Sequence, residues 1–219
     1  MLDIEKRPVS DQVLIYFRKK IMRQEFKEGE HLKEHLLSQK LNVSRGPIRE
    51  AISKLEGEGL VFRNSNGRAI VQKFGESDIH HLYESRILLE NYSLASIQPE
   101  LLEQNGHLLY EYLNQMEMFN GTGMNVEADI QFHYCLVKMT GNKTLIRLWW
   151  SLNEIIKTLI EVTSEFASKR QKEIILEHKV IVDAIFDKDI EKAQQLLRVH
   201  LEGASDYYSK AVFKFQEGK

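Results

Sequence analysis

The sequence predicts a mainly α-helical protein in two parts: a winged helix-turn-helix over residues 1–75 and an all-α bundle of six helices over 76–219. Three observations predict it. Between residues 32 and 71, two short amphipathic stretches meet at a tight turn and run into a hairpin with Asn66-Gly67 at its tip. From residue 77 onward nothing reads as a strand, and long helical stretches are interrupted only where Gly, Pro, Asn, Asp or Ser collect. Charge divides at the same place: residues 1–75 hold 15 Lys+Arg against 10 Asp+Glu, a net +5, and residues 76–219 hold 15 against 22, a net −7. A basic first part suits a polyanionic partner, and an acidic second part does not.

In chain order, Val13, Leu14, Phe17 and Ile21 form the apolar face of a first helix from about Ser10 to Gln24, with Lys19, Lys20 and Arg23 on its outer side. Gly29 closes the lead-in to the second helix. The third helix begins at Ser44, an N-cap whose hydroxyl can accept a free backbone N–H, and carries Pro47 in its first turn, where the missing donor costs little. Ile48, Ile52 and Leu55 give it a buried stripe, which leaves Arg45, Arg49 and Ser53 on the adjoining arc. Arginine grips a guanine edge or a phosphate bidentately, so an exposed helix led by two arginines suits a DNA major groove. Residues 72–76 read as a linker.

The remaining helices are expected near 77–97, 100–119, 125–139, 143–165, 168–187 and 189–214. Their breaks fall at Gln98-Pro99, Asn120-Gly121-Thr122-Gly123, Thr140-Gly141-Asn142, a polar stretch around 164–168, and Asp187-Lys188-Asp189. Ser77 starts the first of them, and Asn142 caps another. Of the adjacent Trp149 and Trp150, one is expected in the core and the other toward a partner subunit or the surface.

No run approaches the roughly twenty apolar residues of a membrane span, and Met1-Leu2-Asp3-Ile4-Glu5 lacks the layout of a signal peptide. The single cysteine, Cys135, excludes an internal disulfide and agrees with a cytoplasmic location. It reads as a small buried helix residue.

The run Val43-Ser44-Arg45-Gly46-Pro47-Ile48-Arg49-Glu50-Ala51 through Gly59-Leu60-Val61 resembles the DNA-reading segment of GntR-type bacterial transcription regulators. The resemblance covers about seventy residues in order and includes the wing. It implies contacts to a palindromic operator duplex from Ser44, Arg45, Pro47, Arg49 and His35, with Asn66 and Gly67 bringing the wing to the backbone or minor groove. Two positions depart from the family pattern. Asn42 stands in the turn where Gly is usual, a place Asn tolerates, and His35 follows Glu34 where another polar residue is common.

In the second part, Asp129 and His133 share a helix face, while His178 and His200 lie on later helices. Taken alone, these are scattered polar residues. The pattern Tyr83-Glu84-Ser85-Arg86-x-x-Leu89-Glu90, then Ala128-Asp129-x-x-Phe132-His133, then Gly141-Asn142, is similar to the FadR-like, or FCD, branch of those regulators. That similarity implies an all-helical effector and dimerisation domain. It also implies a divalent metal on Asp129, His133, His178 and His200, and a small organic acid met by Arg86. Imidazoles with one carboxylate suit zinc first, and nickel, manganese or iron(II) as well. An ordinary salt bridge from Arg86 to Glu90 is the competing role for that arginine. His80, His81 and His107 match no ligand position. The expectation is therefore a homodimeric transcription regulator, a repressor rather than an enzyme, with no membrane partner. Two other readings stay open: the same fold with a metal-free pocket for a larger apolar ligand such as an acyl thioester, and a metalloenzyme, for which Glu177 beside His178 is the one candidate base.

Overall fold

A computed structural model describes residues 7–119, 125–167 and 171–217. The elements run α1 (Val9–Met22), α2 (Glu34–Leu41), α3 (Arg45–Gly57), β1 (Val61–Arg63), β2 (Ala69–Val71), α4 (Glu76–Ala95), α5 (Pro99–Asn105), α6 (His107–Glu117), α7 (Val126–Lys138), α8 (Lys143–Ala167), α9 (Gln171–Phe186) and α10 (Ile190–Glu217). They form two compact units, Met1–Gly75 with Val212–Lys219, and Glu76–Ala211.

In the first unit α1 packs on α3, burying Val13, Leu14, Phe17 and Ile21 against Ile48, Ile52 and Leu55. The contact is tied at one end by Arg18, whose Nε and Nη2 meet the two oxygens of Glu58 at 2.7 and 2.5 Å. The turn between α2 and α3 hangs on Asn42, left-handed at φ 52° and ψ 43°. Asn thus does the work expected of Gly there. Ser44 holds the N-cap position of α3 with extended dihedrals, but its side chain makes no capping bond, contrary to the sequence expectation. β1 and β2 pair antiparallel, Phe62 opposite Ile70, and His31 adds a single bridge to Ile70.

The second unit is entirely helical among its described residues. Asn142 caps α8, its Oδ1 accepting from the backbone N–H groups of Thr144 and Leu145 at 3.1 Å each. The single helix expected over 100–119 is two, α5 and α6, which meet at Gly106. A Cβ there would stand 2.6 Å from the Leu102 carbonyl oxygen and 3.0 Å from Cζ of Phe186, so the backbone of the preceding turn, with α9 packed beside it, demands glycine. The break expected at Asn120-Gly121-Thr122-Gly123 lies outside the described residues, as does Ser168; α8 itself continues through Ala167. No helix of the described residues is long and apolar enough to cross a membrane.

Candidate metal centre and nucleic-acid interface

The apolar stripe of α3 fixes which of its residues face outward. Ser44, Arg45 and Arg49 are exposed and Pro47 is half-buried. Arg49 is not a free cation: its Nη2 lies 3.1 Å from Oε2 of Glu34 on α2, with Nε at 3.3 and 3.4 Å from the same carboxylate. Arg49 is exposed and Glu34 half-buried, so the pair aims the guanidinium more than it stabilises the fold. His35, Arg45 and Gly67 line one groove of about 570 Å³ together with Lys33, Arg63 and Arg68. The wing tip holds Gly67 at φ +69°. Its shape is set by Asn64, whose Oδ1 accepts from the backbone N–H of Asn66 and Arg68 at 3.0 Å each. Arg63 donates to the Gly67 carbonyl at 3.1 Å. Sequence reasoning found the tip and missed both Asn64 and Arg63; an Asn two residues before Asn66 was the available signal.

In the second unit α7, α9 and α10 bring Asp129, His133, His178 and His200 together, all buried, with one donor atom from each within 4.8 Å of the others. Oδ1 of Asp129 lies 3.4 Å from Nε2 of His178 and 3.9 Å from Nε2 of His133. The other nitrogen of each ring is already engaged. Nδ1 of His133 donates to Oε2 of Glu90 at 2.7 Å, Nδ1 of His178 to the Ile174 carbonyl at 2.8 Å, and Nδ1 of His200 to Oε2 of Glu177 at 2.7 Å. Carbonyls and carboxylates only accept, so Nδ1 carries the proton in each neutral ring and Nε2 presents a lone pair. Burial, reinforced by neighbouring positive charge, pushes the pKa of His133 down and that of His178 well down, which keeps both rings neutral.

The consequence is electrostatic. Nε2 of His133 and Nε2 of His178 face each other across 3.1 Å with no hydrogen between them, an arrangement that a shared cation relieves. Two ligands each about 2.1 Å from one ion stand about 3.0 Å apart at a right angle and about 3.4 Å apart at the tetrahedral angle. The 3.1 Å between these two nitrogens falls in that range. Phe132 holds the two rings edge-on, with centroids 4.5 Å from His178 and 5.4 Å from His133.

Glu90, invoked by the sequence only as a partner for Arg86, is the hub behind the ligands. Its Oε1 accepts from Nε of Arg86 at 2.7 Å and from Nε1 of Trp149 at 2.9 Å, and its Oε2 accepts from His133. Burial pushes its carboxyl up, but the hydrogen bonds from His133 and Trp149 and the charge of Arg86 outweigh that and hold it below the usual carboxylate range. Arg86 thus makes the salt bridge, and its Nη2 remains buried without a partner. The same arginine lines a small cavity with Tyr83, Asp129, His200, Tyr207 and Tyr208. Free space in it amounts to about one water molecule. Of the tryptophan pair, Trp149 is the core member and Trp150 is half-buried. Of the other histidines, His80 contacts Oγ of Ser205 at 2.9 Å.

A family model described as bacterial regulatory proteins, gntR family, matches residues 9–71, and one described as FCD domain matches residues 81–203. The chain is 27% identical over 206 residues to an HTH-type transcriptional regulator of Bacillus subtilis, YdhC, covering 92% of this chain and 90% of that one. It is 25% identical over 223 residues to the HTH-type transcriptional repressor NanR of Salmonella typhimurium, covering 92% of this chain and 85% of that one. Among solved structures, a GntR transcriptional regulator from Rhodococcus sp. RHA1 superposes with a TM-score of 0.61 at 25% identity, over 91% of this chain and 96% of that one.

Proposed function

Because the chain belongs to the GntR family of bacterial regulatory proteins and carries an FCD domain, we propose that it is a homodimeric repressor whose operator affinity is set by a small carboxylate bound at a divalent metal. In this reading residues 1–75 are the DNA-binding domain, and 76–219 bind the effector and form the dimer. Arg45 and Arg49 read base edges, and Ser44, Pro47 and His35 border them. Asn66 and Gly67 bring the wing to the duplex, which holds two half-sites related by the dimer axis. Repression is the role that the name of NanR gives for that relative.

One observation carries the sensing half: three imidazole lone pairs and a carboxylate converge in a buried site where the other nitrogen of each ring is hydrogen-bonded. Asp129, His133, His178 and His200 would hold the ion, with zinc the first choice and nickel, manganese or iron(II) compatible with the same donors. Bound there, the ion supplies positive charge for an anionic ligand. The unpartnered Nη2 of Arg86 would take a second oxygen of that ligand.

The narrow cavity, with Arg86, Asp129 and His200 on its wall, favours a small acid over an acyl thioester, which would need far more volume. Turnover has less support. Glu177 is turned to His200 Nδ1 and Glu90 to three donors, so neither lines the cavity as a base. The test is a thermal-shift series of small carboxylic acids on metal-loaded protein, repeated after chelation. An acid that raises the melting temperature only with metal present is the expected result; stabilisation indifferent to metal would refute the site.

A further inference from the structure

The cavity beside the metal ligands is narrow, with free space for about one water molecule, so a larger ligand must displace a side chain to enter it. On the outer face of the same unit, α4 and α10 flank a cleft of about 290 Å³ lined by Tyr83, Ile87, Leu88, Arg198, Glu202 and Ser205, among others. Among the described residues, Tyr83 alone lines both this cleft and the inner cavity that holds Asp129 and His200. Its ring is therefore the wall between them.

Tyr83 is poorly secured for a wall. It is 1% exposed, and its hydroxyl has no hydrogen-bond partner within 3.5 Å, only a looser contact with the Arg86 side chain. Its ring has only tilted contact with Tyr208, centroids 6.0 Å apart, and lies 5.7 Å from the guanidinium carbon of Arg86. A buried hydroxyl without a full partner is destabilised relative to a satisfied one. Swinging it toward the cleft gives up only that loose contact and brings the hydroxyl to water, whereas a ligand oxygen in the cavity would supply a full hydrogen-bond partner and hold the ring shut.

We propose that the α4–α10 cleft is the entry route to the buried centre and that Tyr83 is its door, admitting a divalent cation or a small carboxylate and latching on an oxygen of the latter. What passes through rests on the reading above; the existence of the route does not.

The test therefore begins on metal-free full-length protein. Diethyl pyrocarbonate acylates neutral imidazoles, and mass spectrometry reads each histidine separately. Tyr83→Ala is expected to label His133, His178 and His200 at least about tenfold faster than the parent protein. His107, with 62% of its side chain exposed, serves as the unchanged internal reference. Tyr83→Phe keeps the ring and should stay within about twofold. Ile174→Ala enlarges the inner cavity without touching the cleft, and should leave the rates alone. Leu88→Trp, at a position 72% exposed on the cleft, should slow them without disturbing the fold. Equal labelling in Tyr83→Ala and parent, equal acceleration by Ile174→Ala, or no effect of Leu88→Trp overturns the route. In a parallel arm, zinc-loaded protein is mixed with excess chelator, and Tyr83→Ala should release the ion faster by a similar factor. If the parent holds no zinc near one equivalent, the metal reading fails while the labelling arm still decides the door.

Discussion

Glu90 accepts three hydrogen bonds on two oxygens, from Arg86, Trp149 and His133, and every one of its neighbours is a donor. Glu90→Gln would therefore turn an amide N–H₂ toward at least one donor and loosen the ring of His133. We expect metal affinity to fall about 10–100-fold while the helical content is unchanged, read by competition with a chromogenic chelator. A ligand variant, His178→Ala, should lose near-stoichiometric metal altogether; unchanged metal content in both would end the assignment. On the DNA side the decisive atoms are the guanidinium groups of α3. Arg45→Ala and Arg49→Ala should each cost about 1–3 kcal/mol of operator affinity and relax base preference. The Glu34–Arg49 pair refines that expectation. Glu34→Ala releases a cation, so it should strengthen binding to arbitrary duplex while narrowing the gap between operator and random DNA. Anisotropy titrations on the two duplexes measure both effects, and an unchanged gap would show that Glu34 does not aim Arg49.

At the scale of elements, Gly106 shows how a packing demand overrides a helical pattern. Gly106→Ala places a methyl against Cζ of Phe186 and the Leu102 carbonyl, and should destabilise the protein by about 1–3 kcal/mol, measured as a shift in urea midpoint. Phe186→Leu should recover part of that loss if the ring is the obstacle, whereas strict additivity would place the strain in the backbone instead. The same junction marks the limit of what periodicity reveals. The stripes of α1 and α3, the left-handed Asn42, the cap at Asn142 and the wing were all legible, because each depends on residues within a few positions. Asp129 and His133 share one turn of α7, but their union with His178 and His200 is a tertiary fact that spacing cannot supply; the family resemblance carried it. The tight surroundings of Gly106 include a ring eighty residues away, and the role of Glu90 depends on Trp149 from another helix. Local chemistry predicted the elements, and long-range contact decided what stood behind the ligands.

For the whole molecule, the proposed regulation is a coupling between two binding reactions, and its sign and size follow from linkage. A carboxylate that binds the DNA-free and DNA-bound protein equally well releases nothing, however tightly it binds. To weaken operator binding a hundredfold it must favour the DNA-free form by about 2.7 kcal/mol. The coupling is reciprocal, so saturating operator must weaken the acid by the same factor. Both halves can be measured on one preparation: operator affinity by anisotropy with and without the acid, and acid affinity by calorimetry with and without operator. The two ratios should agree, and both should collapse to one when the metal is stripped. Salt provides an independent check, because the net +5 of residues 1–75 ties operator affinity to counterion release. Raising the salt concentration should weaken the operator complex steeply and leave the buried acid site, which salt screens little, nearly unaffected. Two ratios that disagree, or an acid that acts equally well on metal-stripped protein, would mean that the anion works somewhere other than the cluster of Asp129, His133, His178 and His200.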